Sequence, residues 1–286
     1  MKPKIIYLLE MIIDHDGNFI TYPANDQYVS GALREFGEYS PSEIKLLQSI
    51  VKPEWTCIDI GSNIGIVALA LAKICKRVIA FEPQIMLNRL IAANAAMQGL
   101  YNVEVIYAAV GNTNGKINVP AFNYSTLNNY GAIGKDNWGN GLEVDLVTLD
   151  GIAETLKINN YSNGVNLIKI DVEGMEKEVL EGASVLIQES KPVLWVENDK
   201  KNKSVELVRY VKSIGYIPYW VRNSVAEPDP IGSHPLGSQA SFNMLCVTPG
   251  DNFISCINFD EVQEDDDVGS VLWSKMFRYD RASFSK

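Results

Sequence analysis

Two carboxylates, Asp171 and Glu173, lie in the segment IKIDVEGMEKEVLEGA, where an apolar run ends and a helical pattern begins. On an extended chain, side chains two residues apart point to the same side, so both carboxylates would face one space. Such a pair could accept a proton from a substrate or anchor a polar one. An acid at a helix start can also simply stabilise the helix, by about 1 kcal/mol. Capping accounts for one acid, more readily Glu173, and leaves Asp171 for function.

A polar turn, CIDIGSNIG, follows another apolar run. Asp59 closes that run, Gly61 and Gly65 let backbone approach a ligand, and a helix is expected to begin near Asn63 or the next residue. The turn is not GxGxxG, because Asn63 stands where a dinucleotide-binding turn needs its second glycine. An acid before the turn and an amide inside it suit a ligand with an amine and a carboxylate. S-adenosylmethionine (SAM) has both.

The next apolar run ends in RVIAFEP. In dinucleotide-binding proteins, an acid roughly 20 residues after the glycine turn binds the ribose hydroxyls of the ligand. Glu82 lies slightly closer than this to Gly65 and could bind ribose in the same way. The alternative is that Glu82 only favours the positive end of the following helix. Pro83 ends the strand, and Ala108 and Ala109, after the third run, would leave room for an adenine ring.

Two further groups of polar residues are candidates for substrate contact. Glu197 and Asn198 follow the run VLWV and could bind sugar hydroxyls, hold a cation or begin a helix. Magnesium and calcium prefer oxygen ligands, so these two with Asp171 could form a metal site, although a required metal is not expected. His234 lies in a long Pro/Gly/Ser loop and could bind substrate or accept a proton near neutral pH.

The elements that must position these residues are short apolar runs that alternate with helical patterns. This alternation predicts an α/β fold with a mostly parallel sheet, helices on both faces and ligands at the carboxyl ends of the strands. The predicted strands are 57–60, 77–81, 103–107, 166–170, 193–197, 216–221 and 243–247, and the predicted helices are 42–51, 64–74, 85–98, 174–188 and 203–214.

The chain is predicted to hold one main domain, residues 41–250, with appendages. Residues 1–40 are expected to form an extension packed on this domain. Residues 111–147, which are rich in Gly, Asn and Tyr, are expected to form an inserted hairpin or lid. Residues 251–286 are expected to form an acidic, solvated tail.

The composition excludes several classes of partner. The chain has 286 residues, is 47% hydrophobic and carries a formal charge of −10 without a Lys/Arg cluster, which argues against nucleic acid and anionic membranes. The four cysteines form no CxxC pair, which is typical of reduced thiols in a cytoplasmic protein. No apolar stretch approaches the ~20 residues of a membrane span, and the N-terminal run, interrupted by Glu10, is not expected to be a signal peptide.

In this order, CIDIGSNIG, FEP and LIKIDVEGMEKEVLEGA resemble the FkbM-type SAM-dependent methyltransferases, from about GEYSPSE (37–43) to VEN (196–198) and more loosely to SFNMLCVTP. The resemblance implies a Rossmann-like class I methyltransferase fold, with seven strands of which the last is antiparallel. It places the Asp59–Gly65 turn, including Ser62, at the amino acid end of SAM and Glu82 with Pro83 at its ribose. Glu38, Tyr39, Ala109 and Asp171 complete the implied cofactor site.

The expected activity is SAM-dependent O-methylation of a hydroxyl, on a sugar, glycan or natural product, with S-adenosylhomocysteine as the second product. Asp171, Glu173 and His234 are the candidate proton acceptors, and Glu173, Glu197, Asn198 and His234 the candidate acceptor contacts. The alternatives are a nicotinamide-dependent oxidoreductase and a non-catalytic carbohydrate-binding relative. The oligomeric state stays open, a homo-oligomer included.

Overall fold

The computed structural model describes residues 8–132, 134, 139–158, 164–227, 240–250 and 260–263. Twelve strands are found in these ranges: β1 Leu9–Ile13, β2 Phe19–Pro23, β3 Thr56–Ile60, β4 Arg77–Phe81, β5 Val103–Ile106, β6 Ala109–Val110, β7 Gly115–Pro120, β8 Gly141–Val147, β9 Leu167–Ile170, β10 Val193–Glu197, β11 Ile217–Asn223 and β12 Ser241–Val247. The helices of the same ranges are α1 Val29–Phe36, α2 Pro41–Ile50, α3 Ile66–Ala72, α4 Ile85–Met97, α5 Leu149–Ile152, α6 Glu176–Glu181, α7 Ser184–Ser190 and α8 Lys201–Ser213.

Seven strands form the central sheet in the order β11-β12-β10-β9-β3-β4-β5. β12 is antiparallel to both of its neighbours, whereas the pairs β10–β9, β9–β3, β3–β4 and β4–β5 are parallel. The predicted α/β fold, with a mostly parallel seven-stranded sheet and an antiparallel last strand, is confirmed. Strand order reverses between β3 and β9, and such a switch point is where open α/β sheets bind ligands.

Side chains that alternate along the strands form two hydrophobic cores, one on each face of the sheet. Ile58, Ile168 and Leu194 pack with α6, α7 and α8, whereas Cys57, Leu167 and Trp195 pack with α2 and α3. Burial on both faces explains why these strands carry apolar residues at successive positions. It also makes any charged side chain within them an exception that needs a partner.

The N-terminal segment packs onto the helix that follows β4. β1 and β2 form an antiparallel hairpin, which the sequence analysis did not predict. Ile20, Tyr22 and Leu33 share a core cluster with Leu87 and Leu90 of α4. Asn94, fully buried on α4, donates to the carbonyls of Thr21 and Ile64 at 3.0 and 3.1 Å and accepts from the Thr21 N–H at 2.8 Å.

In the insertion, β7 pairs antiparallel with β8, and β6 pairs with β8 to complete a three-stranded sheet. The single helix predicted over 174–188 is wrong, because α6 ends at Glu181 and α7 begins at Ser184. Gly182 approaches the Gly111 carbonyl so closely that a Cβ would lie 2.0 Å from its oxygen. Across the described ranges, no helix is both long and apolar enough to cross a bilayer.

Candidate active site

A cavity of about 320 Å³ opens at the carboxyl ends of β3, β4, β9 and β10. This volume lies at the lower end of the range for small-molecule sites, about 300–1,000 Å³. Most of the predicted site residues line it: Tyr39, Asp59, Gly61, Ser62, Asn63, Glu82, Pro83, Ala109, Asp171, Glu173 and Glu197. The strand ends therefore bring together side chains from distant parts of the sequence.

The turn after β3 is fixed by the end of β9. Gly61 has a φ of +80°, and a Cβ there would lie 1.8 Å from the carbonyl oxygen of Asp171. No side chain fits, so glycine is required for both reasons. The helix begins at Ile66 and not near Asn63 as predicted, because the turn continues through Asn63 at φ +53° and Gly65 at φ +91°.

Glu82 lies at the end of β4 with its carboxylate against this turn. One oxygen accepts the Asn63 N–H at 2.9 Å and the other accepts the Gln84 N–H at 2.9 Å. Burial raises the pKa of Glu82 to about 8, although these two hydrogen bonds oppose the rise. Each oxygen can accept a further hydrogen bond, so the carboxylate suits a ligand with two hydroxyl groups.

Lys169 is the central cation of the site, and the sequence analysis missed it. Its Cα pairs with that of Asp59 across β9 and β3, and its Nζ lies 3.3 Å from Asp59 Oδ1 and 3.4 Å from Asp171 Oδ2. Asp59 is fully buried, and neither of its oxygens accepts a hydrogen bond from the described residues. The two aspartates predicted from the sequence are thus joined through one buried ammonium group. The signal was a lysine within the apolar run NLIKI.

Glu43 is, after Lys169, a second buried site residue that was not predicted from the sequence. It lies on α2 and accepts the Ser40 hydroxyl at 2.8 Å. Burial raises the pKa of Glu43 to about 7, with Lys169 opposing the rise. Its spacing from Leu46, Leu47 and Ile50 put it on the apolar stripe of the helix, and a charge on that stripe was the available signal.

Glu173 does not cap the helix, contrary to the prediction from its position. Its carboxylate pairs instead with Lys200, and its backbone is left-handed at φ +56°. The acid that accepts local N–H groups is Glu176, which receives those of Val172 and Gly174 at 3.3 and 2.8 Å. Glu176 is also buried. Capping therefore does not explain Glu173.

Glu197, at the end of β10, faces the same space as Asp171 and Glu173. One carboxylate oxygen from each of the three lies within 4.8 Å of the other two. Burial, with the charges of Asp171 and Glu173, raises the pKa of Glu197 well above its usual range. The adjacent Asn198 is buried away from the cavity lining, with its side-chain amide 3.3 Å from the Met244 sulfur.

The N-terminal segment and the insertion meet over the other side of the cavity. Tyr28 and Tyr39 line it and stack edge to face, with centroids 5.8 Å apart. Asp26 accepts the N–H groups of Ser30 and Tyr130 at 2.7 and 3.1 Å, which joins the two segments. Gln84 donates to the Tyr130 carbonyl at 2.7 Å. The N-terminal extension thus supplies part of the site wall.

Besides Asn198, two predicted site residues, Glu38 and Gly65, lie outside the cavity lining. Glu38 accepts the Glu227 N–H at 2.6 Å. Gly65 lies against Ile91. His234 falls outside the described residues.

The cavity is strongly acidic. Seven carboxylates and two lysines line it: Glu43, Asp59, Glu82, Asp171, Glu173, Glu197 and Asp199, with Lys169 and Lys200. Such an excess of acidic over basic groups favours a cationic ligand.

A family profile described as the Methyltransferase FkbM domain matches residues 59–218. The match begins at Asp59 and includes Glu82, Lys169, Asp171 and Glu197. No curated protein matches the chain.

Solved structures give more distant likenesses. A methyltransferase FkbM from Methylobacillus flagellatus KT is 18% identical, with a TM-score of 0.46 over 68% of this chain and 44% of that one. The present chain therefore spans less than half the length of that protein. An rRNA methylase from Streptococcus thermophilus is 12% identical (TM-score 0.44, covering 72% and 94%), and M. jannaschii TYW2 in complex with AdoMet is 13% identical (TM-score 0.45, covering 85% and 88%).

Proposed function

The chain belongs to the FkbM methyltransferase family, and from that premise we propose that it moves a methyl group from SAM to a hydroxyl of a sugar, glycan or natural product. Membership in this family favours methyl transfer over the hydride transfer of a nicotinamide-dependent enzyme. The observation that carries the proposal is the acidic cavity at the strand ends, which Asp59, Glu82 and Asp171 line.

The residues of the cavity fit SAM. Glu82 has two oxygens able to accept ribose hydroxyls, and the Gly61 turn lets a ligand approach the backbone. The carboxylate of Asp59, whose oxygens accept no hydrogen bond from the described residues, suits the ammonium group of the amino acid end. Ala108 and Ala109 line the cavity, and their small side chains suit a flat ring. The negative charge of the cavity favours a sulfonium ion.

When bound, SAM supplies a methyl group activated by the positive charge on its sulfur. The chain's own residues then orient an acceptor and take its proton. Asp171 and Glu173 line the acidic cavity and are the proposed proton acceptors, with Glu197 and Lys200 holding acceptor hydroxyls. Holding the acceptor in place contributes the larger part of such a rate enhancement, because methyl transfer needs an in-line geometry. His234 stays a candidate from its sequence alone.

The cofactor part is tested by calorimetric titration of SAM and S-adenosylhomocysteine against the wild type and Glu82→Gln. We expect the variant to bind roughly 10- to 100-fold more weakly, because a hydrogen bond to a charged group contributes about 1.5–3 kcal/mol. Glu104→Gln, an exposed acid on the neighbouring strand, is the matched control. No binding by the wild type would refute the proposal.

The acceptor part is tested by mass spectrometry after incubation with SAM and a panel of glycans, sugars and hydroxylated natural products. We expect a gain of one methyl group on a hydroxyl oxygen, reduced strongly in Asp171→Asn. SAM binding with no methyl gain across the panel would instead favour the non-catalytic relative. Methylation on nitrogen would retain the family and reject the hydroxyl acceptor.

A further inference from the structure

We propose that Asp171, Glu173 and Glu197 bind a divalent cation beside the methyl-transfer position, and that this cation holds the acceptor hydroxyl. The cation site stands on the carboxylate geometry; its role toward the acceptor rests on the proposed function. The site revises the sequence-based expectation in two respects. A metal is now expected, and Glu173 replaces Asn198 as the third ligand.

The geometry of the three carboxylates fits one ion. Two oxygens bound to the same cation at about 2.1–2.4 Å are at most about 4.2–4.8 Å apart. The three oxygens lie within 4.8 Å of one another, so small side-chain movements complete the set. All three ligands are carboxylates, which select hard divalent cations such as Mg²⁺, Mn²⁺ and Ca²⁺.

Glu197 gives an observation independent of this clustering. Only 7% of the residue is exposed, and its Oε2 has no hydrogen-bond partner among the described residues. Nor does an ion pair reach Glu197 within the described part of the chain. A buried carboxylate oxygen without a donor is costly, so a group that the protein itself does not supply is expected to satisfy it.

The two lysines of the cavity do not fill this role. Lys169 lies between Asp59 and Asp171, and Lys200 contacts Glu173 and Asp199. Among the described residues, the lysines thus pair with Asp171 and Glu173 of the cluster, and neither forms an ion pair with Glu197. Three carboxylates also leave open positions on a six-coordinate ion, which acceptor oxygens can occupy. A cation lowers the pKa of a hydroxyl that it binds, which suits a weakly nucleophilic sugar alcohol.

The test is a Mn²⁺ titration of the full chain after treatment with EDTA, without SAM or acceptor, in which the EPR signal of free Mn²⁺ reports unbound metal. We expect one saturable site in the wild type, and Glu197→Gln to weaken it at least about tenfold. Glu173→Gln is the second variant, and circular dichroism establishes that each variant is folded. Glu189→Gln, which removes one exposed acid from α7, is the matched control and should bind like the wild type.

Three results would overturn the cation site: no saturable Mn²⁺ binding, equal affinity in the cluster variants and the control, or binding that SAM abolishes by competition. A parallel SAM titration in EDTA separates this proposal from the proposed function. SAM binding without Mn²⁺ binding refutes only the cation site. Mn²⁺ binding without SAM binding supports the cation site and refutes the proposed function.

Discussion

Lys169 is the residue on which two aspartates depend, Asp59 in β3 and Asp171 directly after β9. Its ammonium group is the counter-charge for Asp59 and Asp171, and Asp59 is fully buried. Removing one partner of a buried ion pair leaves an uncompensated charge, which typically costs about 3–5 kcal/mol.

We therefore expect Lys169→Met to lower the free energy of unfolding by about 3–5 kcal/mol, measured by urea denaturation. Adding Asp59→Asn should restore a large part of this loss, because it removes the orphaned charge. Lys116→Met, at an exposed lysine that pairs with Asp145, is the control and should leave stability unchanged. Equal losses in the single and double variants would contradict the pairing.

Glu43 gives a pH dependence of stability. The pKa of Glu43 is raised from 4.5 to about 7 by burial, while Lys169 and Ser40 lower it and Asp171 and Asp59 add to the rise. Glu43 binds its proton more tightly in the folded state than in the unfolded state. Its contribution to the free energy of unfolding is therefore fully present below pH 4.5 and is lost as the pH rises towards 7. We expect Glu43→Gln to raise the free energy of unfolding, relative to the wild type, by about 2 kcal/mol more at pH 8 than at pH 5, measured by metal-free urea denaturation. A gain that is the same at both pH values would rule out this assignment.

At the scale of elements, the β3 turn and the end of β9 are in direct contact. Gly61→Ala places a methyl group 1.8 Å from the Asp171 carbonyl oxygen, in addition to the unfavourable left-handed backbone. Gly99→Ala is the matched control, because Gly99 also has a positive φ but nothing lies within 4 Å of its Cβ position.

We expect Gly99→Ala to cost only the left-handed penalty, about 1–2 kcal/mol, and Gly61→Ala to cost several times more. Thermal unfolding and soluble yield measure both. If the two variants had the same melting temperature, the close contact between the β3 turn and the end of β9 would be refuted.

Asn94 joins β2 to α4 and to the turn that precedes α3. Asn94→Ala removes three hydrogen bonds and leaves the Thr21 N–H and two carbonyls unsatisfied, which typically costs about 1–3 kcal/mol per buried group. Hydrogen exchange should accelerate in residues 19–23 and stay slow in β3. Faster exchange throughout the sheet would instead indicate global destabilisation.

The sheet was predictable from the sequence because its strands are buried on both faces and read as apolar runs between turns. The same property hid Lys169, since a residue inside a run such as NLIKI is assigned to the core whatever its charge. The break between α6 and α7 was hidden for another reason: it depends on the approach of Gly182 to Gly111, a contact between distant parts of the chain. The β1–β2 hairpin was not predicted because Glu10 interrupts the apolar run that forms β1. Asp171 and Glu82 could be predicted as site residues because each directly follows a strand.

At the scale of the whole molecule, the acidic charge and the cavity predict which ligand stabilises the fold. A ligand that binds only the folded state adds about 2.7 kcal/mol of stability at a concentration 100-fold above its Kd. We expect SAM to raise the melting temperature accordingly, and NAD, which carries a pyrophosphate, to leave it unchanged. Stabilisation by NAD alone would favour the nicotinamide-dependent alternative.

The position of β12 also has a consequence for synthesis on the ribosome. β12 is the last strand of the sheet to be translated, yet it lies between β10 and β11. Until it emerges, the apolar edge of β10 has no partner on that side, and unpaired hydrophobic edges promote aggregation. A nascent chain that stops before Ser241 should therefore need a chaperone to stay soluble, and the yield of folded protein in a cell should depend on how quickly β12 follows.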